Sequence, residues 1–190
     1  MTATAPRPRS TPIDIRRWNA VQTFIAAYAA LWLCTLTSAV VFAMLTPFNL
    51  LADLWIGTRL TLYPHTVPST ELVVSTAAHN VRVAIWPLVA IAFGAARDKE
   101  LRALGSTLIA VFLFMNATIV GAAIGIGRSA LVPFLPHLPL EWAALALVAT
   151  AWTLACQREP ARGRLLAVTA GFLALIVAAA VLEVYAVPHL

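Results

Sequence analysis

The sequence predicts an all-α membrane bundle of five transmembrane helices, with a further amphipathic helix at one face. Three observations carry this. The chain has too little polar surface for a water-soluble globule, it contains five apolar runs of about membrane length, and its basic residues gather in alternate connections. Of its 190 residues, 61% are hydrophobic and 11% charged, and the mean hydropathy is +0.86. Soluble domains sit near 45–50% apolar and about 25% charged. A single domain of this length and composition is solvated mainly by lipid.

The net charge of +5 would suggest nucleic acid in a soluble protein. Here the basic residues fall in short clusters between apolar runs, where membrane orientation accounts for them and no nucleic-acid partner is expected. Arginine outnumbers lysine twelve to one and alanine is abundant, the pattern of a GC-rich bacterial genome. The two cysteines, Cys34 and Cys156, do not make a disulfide framework and are read as small packing residues.

Residues 1–18 form a cytoplasmic tail. Met1 to Thr11 are rich in Pro, Thr, Ala and Arg and have nothing to bury, so they are expected to be disordered. Arg16, Arg17 and Trp18 then make a basic and aromatic membrane edge. The first run, Phe24 to Leu45, has 22 residues. About 20 residues cross a hydrocarbon core of about 30 Å, and a cleaved signal peptide would have a core of only about 7–15. An uncleaved signal anchor fits.

Segment two is Thr76 to Ala96, continuing a helix that starts earlier. Ser69 or Thr70 can cap it, and Glu71 suits its positive end. Pro87 should kink it. Segments three, four and five are Ala103 to Ile126, Leu140 to Cys156 and Leu165 to Val187. Ten of the thirteen basic residues lie in the tail, the second-to-third connection or the fourth-to-fifth connection, and only Arg59, Arg82 and Arg128 do not. The positive-inside rule then puts the N-terminus in the cytoplasm and, after five crossings, the C-terminus outside.

The first outer connection, residues 46–75, is long. Within it Phe48, Leu51, Trp55 and Leu62 recur at helical spacing. That spacing predicts an amphipathic helix over Pro47 to Leu62 in the outer headgroup region, with a loop as the alternative. In segment three, Ala117, Gly121 and Gly125 are spaced by four and form a small-residue face for close helix packing. Such a face serves a homo-oligomer or packing within one chain equally well.

Ionisable side chains inside membrane segments need a partner or a purpose. Arg82, Glu141 and Glu183 all fall near the outer surface once the topology is applied. His79 and Asn80 lie close to Arg82, His137 is four residues before Glu141, and Asn116 is deeper in segment three. These seven are expected to form one polar cluster. It could lock the helices in register, or it could bind or transport a polar group.

All four histidines are predicted at the outer face, three of them in Pro-His pairs. Proline marks helix ends, where histidine is tolerated, so no metal site is expected. No zinc-protease, nucleophile-elbow, phosphate-loop or paired-acid protease signature occurs. Neither enzyme activity nor a cofactor is expected.

The chain resembles the stage II sporulation protein M family of integral membrane proteins. The likeness runs over His79-Asn80-Val81-Arg82, Asn116 with Gly121 and Gly125, Leu135-Pro136-His137 followed by Glu141, and the ending Leu182-Glu183-Val184-Tyr185-Ala186-Val187-Pro188. Together these cover roughly Thr76 to Leu190. Leu138 stands where the family usually has glycine, and Asn116-Ala117 where it often has Asn-Gly. The resemblance implies a multi-helix membrane scaffold without enzymatic activity, holding protein partners at the outer face or within a membrane complex. In endospore formers the namesake acts in engulfment and anchors a complex that includes cell-wall hydrolases. A transport or permease component using Arg82, Glu141 and Glu183 is the competing expectation.

Overall fold

A computed structural model of the chain describes residues 19–45, 68–127, 135–157 and 162–186, and these are helical apart from short turns. The helices are α1 (Ala20–Leu45), α2 (Thr70–Ala84), α3 (Trp86–Ala92), α4 (Lys99–Gly127), α5 (Leu138–Gln157) and α6 (Arg162–Tyr185). Four of them, α1, α4, α5 and α6, are long and apolar enough to cross a membrane. The pair α2 and α3 passes the same test taken together, bent by 52° at the break between them. The tail at residues 1–18 and the amphipathic stretch Pro47 to Leu62 lie outside the described residues, as do Arg59, Arg128, His65 and His189.

The helix boundaries follow from caps. Asn19 and Gln22 close a reciprocal box at the start of α1. The Gln22 N–H donates to Asn19 Oδ1 at 2.9 Å, and the Asn19 N–H to Gln22 Oε1 at 3.1 Å. Ser69 is the residue that caps α2, accepting from the Leu72 N–H at 3.1 Å. Asp98 Oδ1 accepts from both Glu100 and Leu101 at the start of α4.

Segment two is broken rather than only kinked. Pro87 sits in the first turn of α3 and is buried. It lacks an N–H and its ring excludes the carbonyl four residues back, so the ladder of α2 ends at Ala84. The helix also stops short of Ala96. Gly94 has φ +80°, the Ala95 N–H reaches back to the Ala90 carbonyl, and the Gly94 N–H to the Ile91 carbonyl, both at 3.0 Å. This pair of bonds terminates α3 through a left-handed glycine.

The helix α5 occupies the centre and contacts α1, α3, α4 and α6. Its buried residues include Trp142, Leu145, Val148 and Trp152, which join Leu88, Ile109, Phe172 and Ile176 in one apolar core. The most extensive helix pairing is α1 with α4, and the small face of α4 makes it. A Cβ on Gly121 would strike the Thr35 carbonyl oxygen, and one on Gly125 the Ala39 carbonyl oxygen. Ala117 is fully buried in the same row. Thr35, also fully buried, satisfies its hydroxyl on the Leu31 carbonyl of its own helix at 2.8 Å. Cys34 lies 3.7 Å from the Thr118 hydroxyl across this seam.

The outer surface of the bundle is apolar. Leu33, Met44, Phe93, Phe114 and Leu166 are each more than 60% exposed. Such a surface is suited to lipid or to other helices rather than to water.

Candidate functional site: a polar cluster at one end of the bundle

The start of α5 and the end of α6 lie together at one end of the bundle, and α2 packs on α6 beside them. His137 immediately precedes α5. Its carbonyl accepts from the Leu140 N–H at 3.0 Å and the Glu141 N–H at 3.2 Å. Four residues on one helical face are neighbours, and His137 Nε2 approaches Glu141 Oε2 at 4.0 Å. Glu183 comes from the last turn of α6. His137, Glu141 and Glu183 each offer a nitrogen or carboxylate oxygen, and these three atoms lie within 4.8 Å of one another.

Asn80 joins them from α2. Its Nδ2 donates to Glu141 Oε1 at 2.9 Å. The two oxygens of Glu141 are therefore divided, with Oε1 held by the amide and Oε2 turned toward His137. Within hydrocarbon or at its edge, such an interhelical bond stabilises by about 0.6 kcal/mol on average and about 1.7 at most. The three groups other than Asn80 are half-buried. Among the described residues, His137 Nδ1 is buried with no hydrogen-bond partner, and so is the indole nitrogen of Trp142 further along α5. Burial pushes the His137 imidazole below its ordinary value, while the Glu183 carboxylate works in the opposite direction.

Of the seven residues expected to share one polar cluster, four come together: Asn80, His137, Glu141 and Glu183. His79 and Arg82 do not. Both are exposed on α2 and make no hydrogen bond or ion pair among the described residues. The reason is the helix wheel. Arg82 is two residues beyond Asn80, which at 3.6 residues per turn turns it about 200° away. Once Asn80 faces Glu141, Arg82 must face outward. Asn116 is also elsewhere, donating its amide to the Phe112 carbonyl of its own helix at 2.8 Å.

One polar contact between α4 and α5 does not follow from the spacing of residues in either helix alone. Trp152 Nε1 donates to Ser106 Oγ at 3.0 Å, and the Trp152 ring lies where a Cβ on Gly105 would stand. The adjacent Gly105-Ser106 pair was a sequence signal for such a contact, since a small residue admits the ring and a hydroxyl receives its nitrogen. Between α1, α5 and α6, a cleft of ≈ 240 Å³ is lined by residues such as Phe24, Leu147, Leu154 and Val168 and presents no charged group.

The inward groups are therefore two carboxylates, an imidazole and a carboxamide. Among the described residues no lysine or arginine makes an ion pair with either carboxylate. The arrangement can hold helices in register, share a proton, or receive a cation. No protein-family description, no curated protein and no solved structure matches the chain.

Proposed function

We propose that this chain is a non-enzymatic scaffold of the bacterial cytoplasmic membrane, of the stage II sporulation protein M type. In this reading α2 and α3 form one broken span, so the bundle crosses five times. The N-terminus is cytoplasmic and the C-terminus outside, which puts the polar cluster toward the outer leaflet. The scaffold holds a membrane partner against the exposed face of α2.

The observation that carries the reading is the outward position of Arg82. An arginine at the bilayer centre costs about 2.5–3.5 kcal/mol on insertion scales, and less as it nears the headgroups. Among the described residues no carboxylate pairs with Arg82, although Glu141 and Glu183 stand at a similar depth. A partner helix presenting an acid or a row of carbonyls would offset that cost, and His79 and Val83 are exposed beside it. The test is a photo-crosslinking side chain at Val83 in native membranes, with mass spectrometry of the adducts. A discrete membrane-protein adduct that is lost on Arg82→Gln supports the scaffold. Lipid-only adducts, or protein adducts indifferent to Arg82→Gln, would mean that the arginine reaches the headgroups on its own.

A transport or permease component is the second reading, favoured by the 52° break beside the Asn80–Glu141 contact. It would work through the inward carboxylates, with Arg82 outside the path. Loss of a pH-dependent flux on Glu141→Gln, with folding intact, would favour it over the scaffold.

A further inference from the structure

From the grouping of His137, Glu141 and Glu183 we infer a binding site for one divalent first-row transition cation, Zn²⁺ above all, at the end of the bundle where α5 begins. The inference is independent of whether α2 binds a partner.

Four observations converge. The first is donor geometry. One imidazole nitrogen and two carboxylate oxygens lie within 4.8 Å of one another, with the His137–Glu141 pair at 4.0 Å. Zinc bound at about 2.0–2.2 Å to such donors holds them about 3.4 Å apart in a tetrahedral site. The second is charge. Two carboxylates face each other with no lysine or arginine paired to them among the described residues. A divalent cation balances both, and the neutral imidazole adds a donor without adding charge.

The third observation is that two of these groups, Glu183 and His137, are not spent on holding the bundle. Glu183 makes no hydrogen bond among the described residues. Among the described residues the His137 ring has its 4.0 Å approach to Glu141 and no hydrogen bond at the buried Nδ1. A register lock would pair its polar atoms with one another, as Asn80 does with Glu141. The fourth is that pairing itself. Asn80 Nδ2 holds Glu141 Oε1 and leaves Oε2 facing the cluster. Hydrogen bonds of this kind orient a metal-ligating carboxylate, and their loss weakens metal binding by about 10–100-fold.

The donor set selects the ion. Calcium takes six to eight oxygen ligands, and magnesium prefers an octahedron of oxygens with several waters. An imidazole with two carboxylates suits Zn²⁺, or Mn²⁺ less tightly. Three protein donors leave a fourth position for water or for a ligand group.

The experiment uses the full-length protein in nanodiscs, with any affinity tag removed and metal stripped by chelation. Zn²⁺ and Mn²⁺ are titrated with Mg²⁺ and Ca²⁺ as controls, and bound metal is counted by elemental analysis. The expected result is one Zn²⁺ per chain, with binding abolished by Glu183→Gln and by His137→Gln. Asn80→Ala should weaken it by about 10-fold or more. X-ray absorption at the zinc edge of the wild-type protein keeps the inference testable if a variant fails to fold. One nitrogen and two or three oxygens near 2.0–2.1 Å are expected. Substoichiometric zinc, binding unchanged by Glu183→Gln, or a sulfur-containing or six-oxygen shell would each overturn the assignment.

Discussion

Along the seam between α1 and α4, Ala117, Gly121 and Gly125 bring backbone to backbone. At the end of the bundle where α5 begins, Asn80, His137, Glu141 and Glu183 bring polar side chains together instead. The seam leaves nothing unsatisfied. Thr35 bonds its own helix, and the glycines leave no room for even one more carbon. The polar end uses one short contact, Asn80 to Glu141, and among the described residues neither His137 Nδ1 nor the Glu183 carboxylate has a hydrogen-bond partner. Where helices only need to be held, close packing does it without cost in buried polarity. Groups kept unspent at a bundle end are the ones available to a ligand.

Substitutions should separate the two regions, and the largest effect belongs to the seam. Gly121→Leu places a side chain against the Thr35 carbonyl, a backbone atom that cannot rotate away. Overpacking of this kind destabilises by about 1–3 kcal/mol or more, and the upper end is expected. Loss of monodisperse protein in detergent, or a strongly lowered thermal midpoint, is the readout. A wild-type midpoint would mean that the seam is looser than described.

At the polar end Asn80→Ala should lower stability by about 0.6–1.7 kcal/mol, the range for interhelical hydrogen bonds in membranes. Gly94→Ala should have an effect of similar size, about 1–2 kcal/mol, because an alanine must adopt φ +80°. The space around Gly94 is open, so that effect is conformational and should appear as fraying of α3 in hydrogen exchange. Trp152→Phe removes the bond to Ser106 and is expected to lose about 0.6 kcal/mol. The smallest effect is Arg82→Gln. It should leave the thermal midpoint of the isolated protein unchanged, because Arg82 is exposed and no hydrogen bond or ion pair among the described residues is lost. A clear drop would bring Arg82 back into the internal network.

Sequence alone made the seam more legible than the polar end. The small residues of α4 repeat every four positions, so their shared face follows from one helix considered by itself. His137 and Glu141 were legible for the same reason. The cluster as a whole depends on three helices meeting, and depth in the membrane was the only guide available. Depth put Arg82 and Asn80 at one level, but their angular separation on α2 puts them on opposite sides. Polarity alone groups Asn116 with the cluster, whereas its amide donates to the carbonyl one turn earlier in its own helix. Pro87 announced a bend, and its position in the first turn of α3 explains a complete break. The contact of His137 with Glu183 lies beyond sequence spacing altogether, since the two stand 46 residues apart and meet only where α5 and α6 pack.

The central claim is that Asn80 and Arg82 face opposite ways, the first toward Glu141 and the second out of the bundle. Cysteine crosslinking in native membranes tests this most directly, with Cys34 and Cys156 first replaced by alanine. Cysteines at positions 80 and 141 should join rapidly through a short bifunctional thiol reagent, and cysteines at 82 and 141 should not. Equal rates, or faster joining of the 82–141 pair, would contradict the account. The arginine would then belong inside the cluster, where it would neutralise the carboxylates assigned to a metal ion.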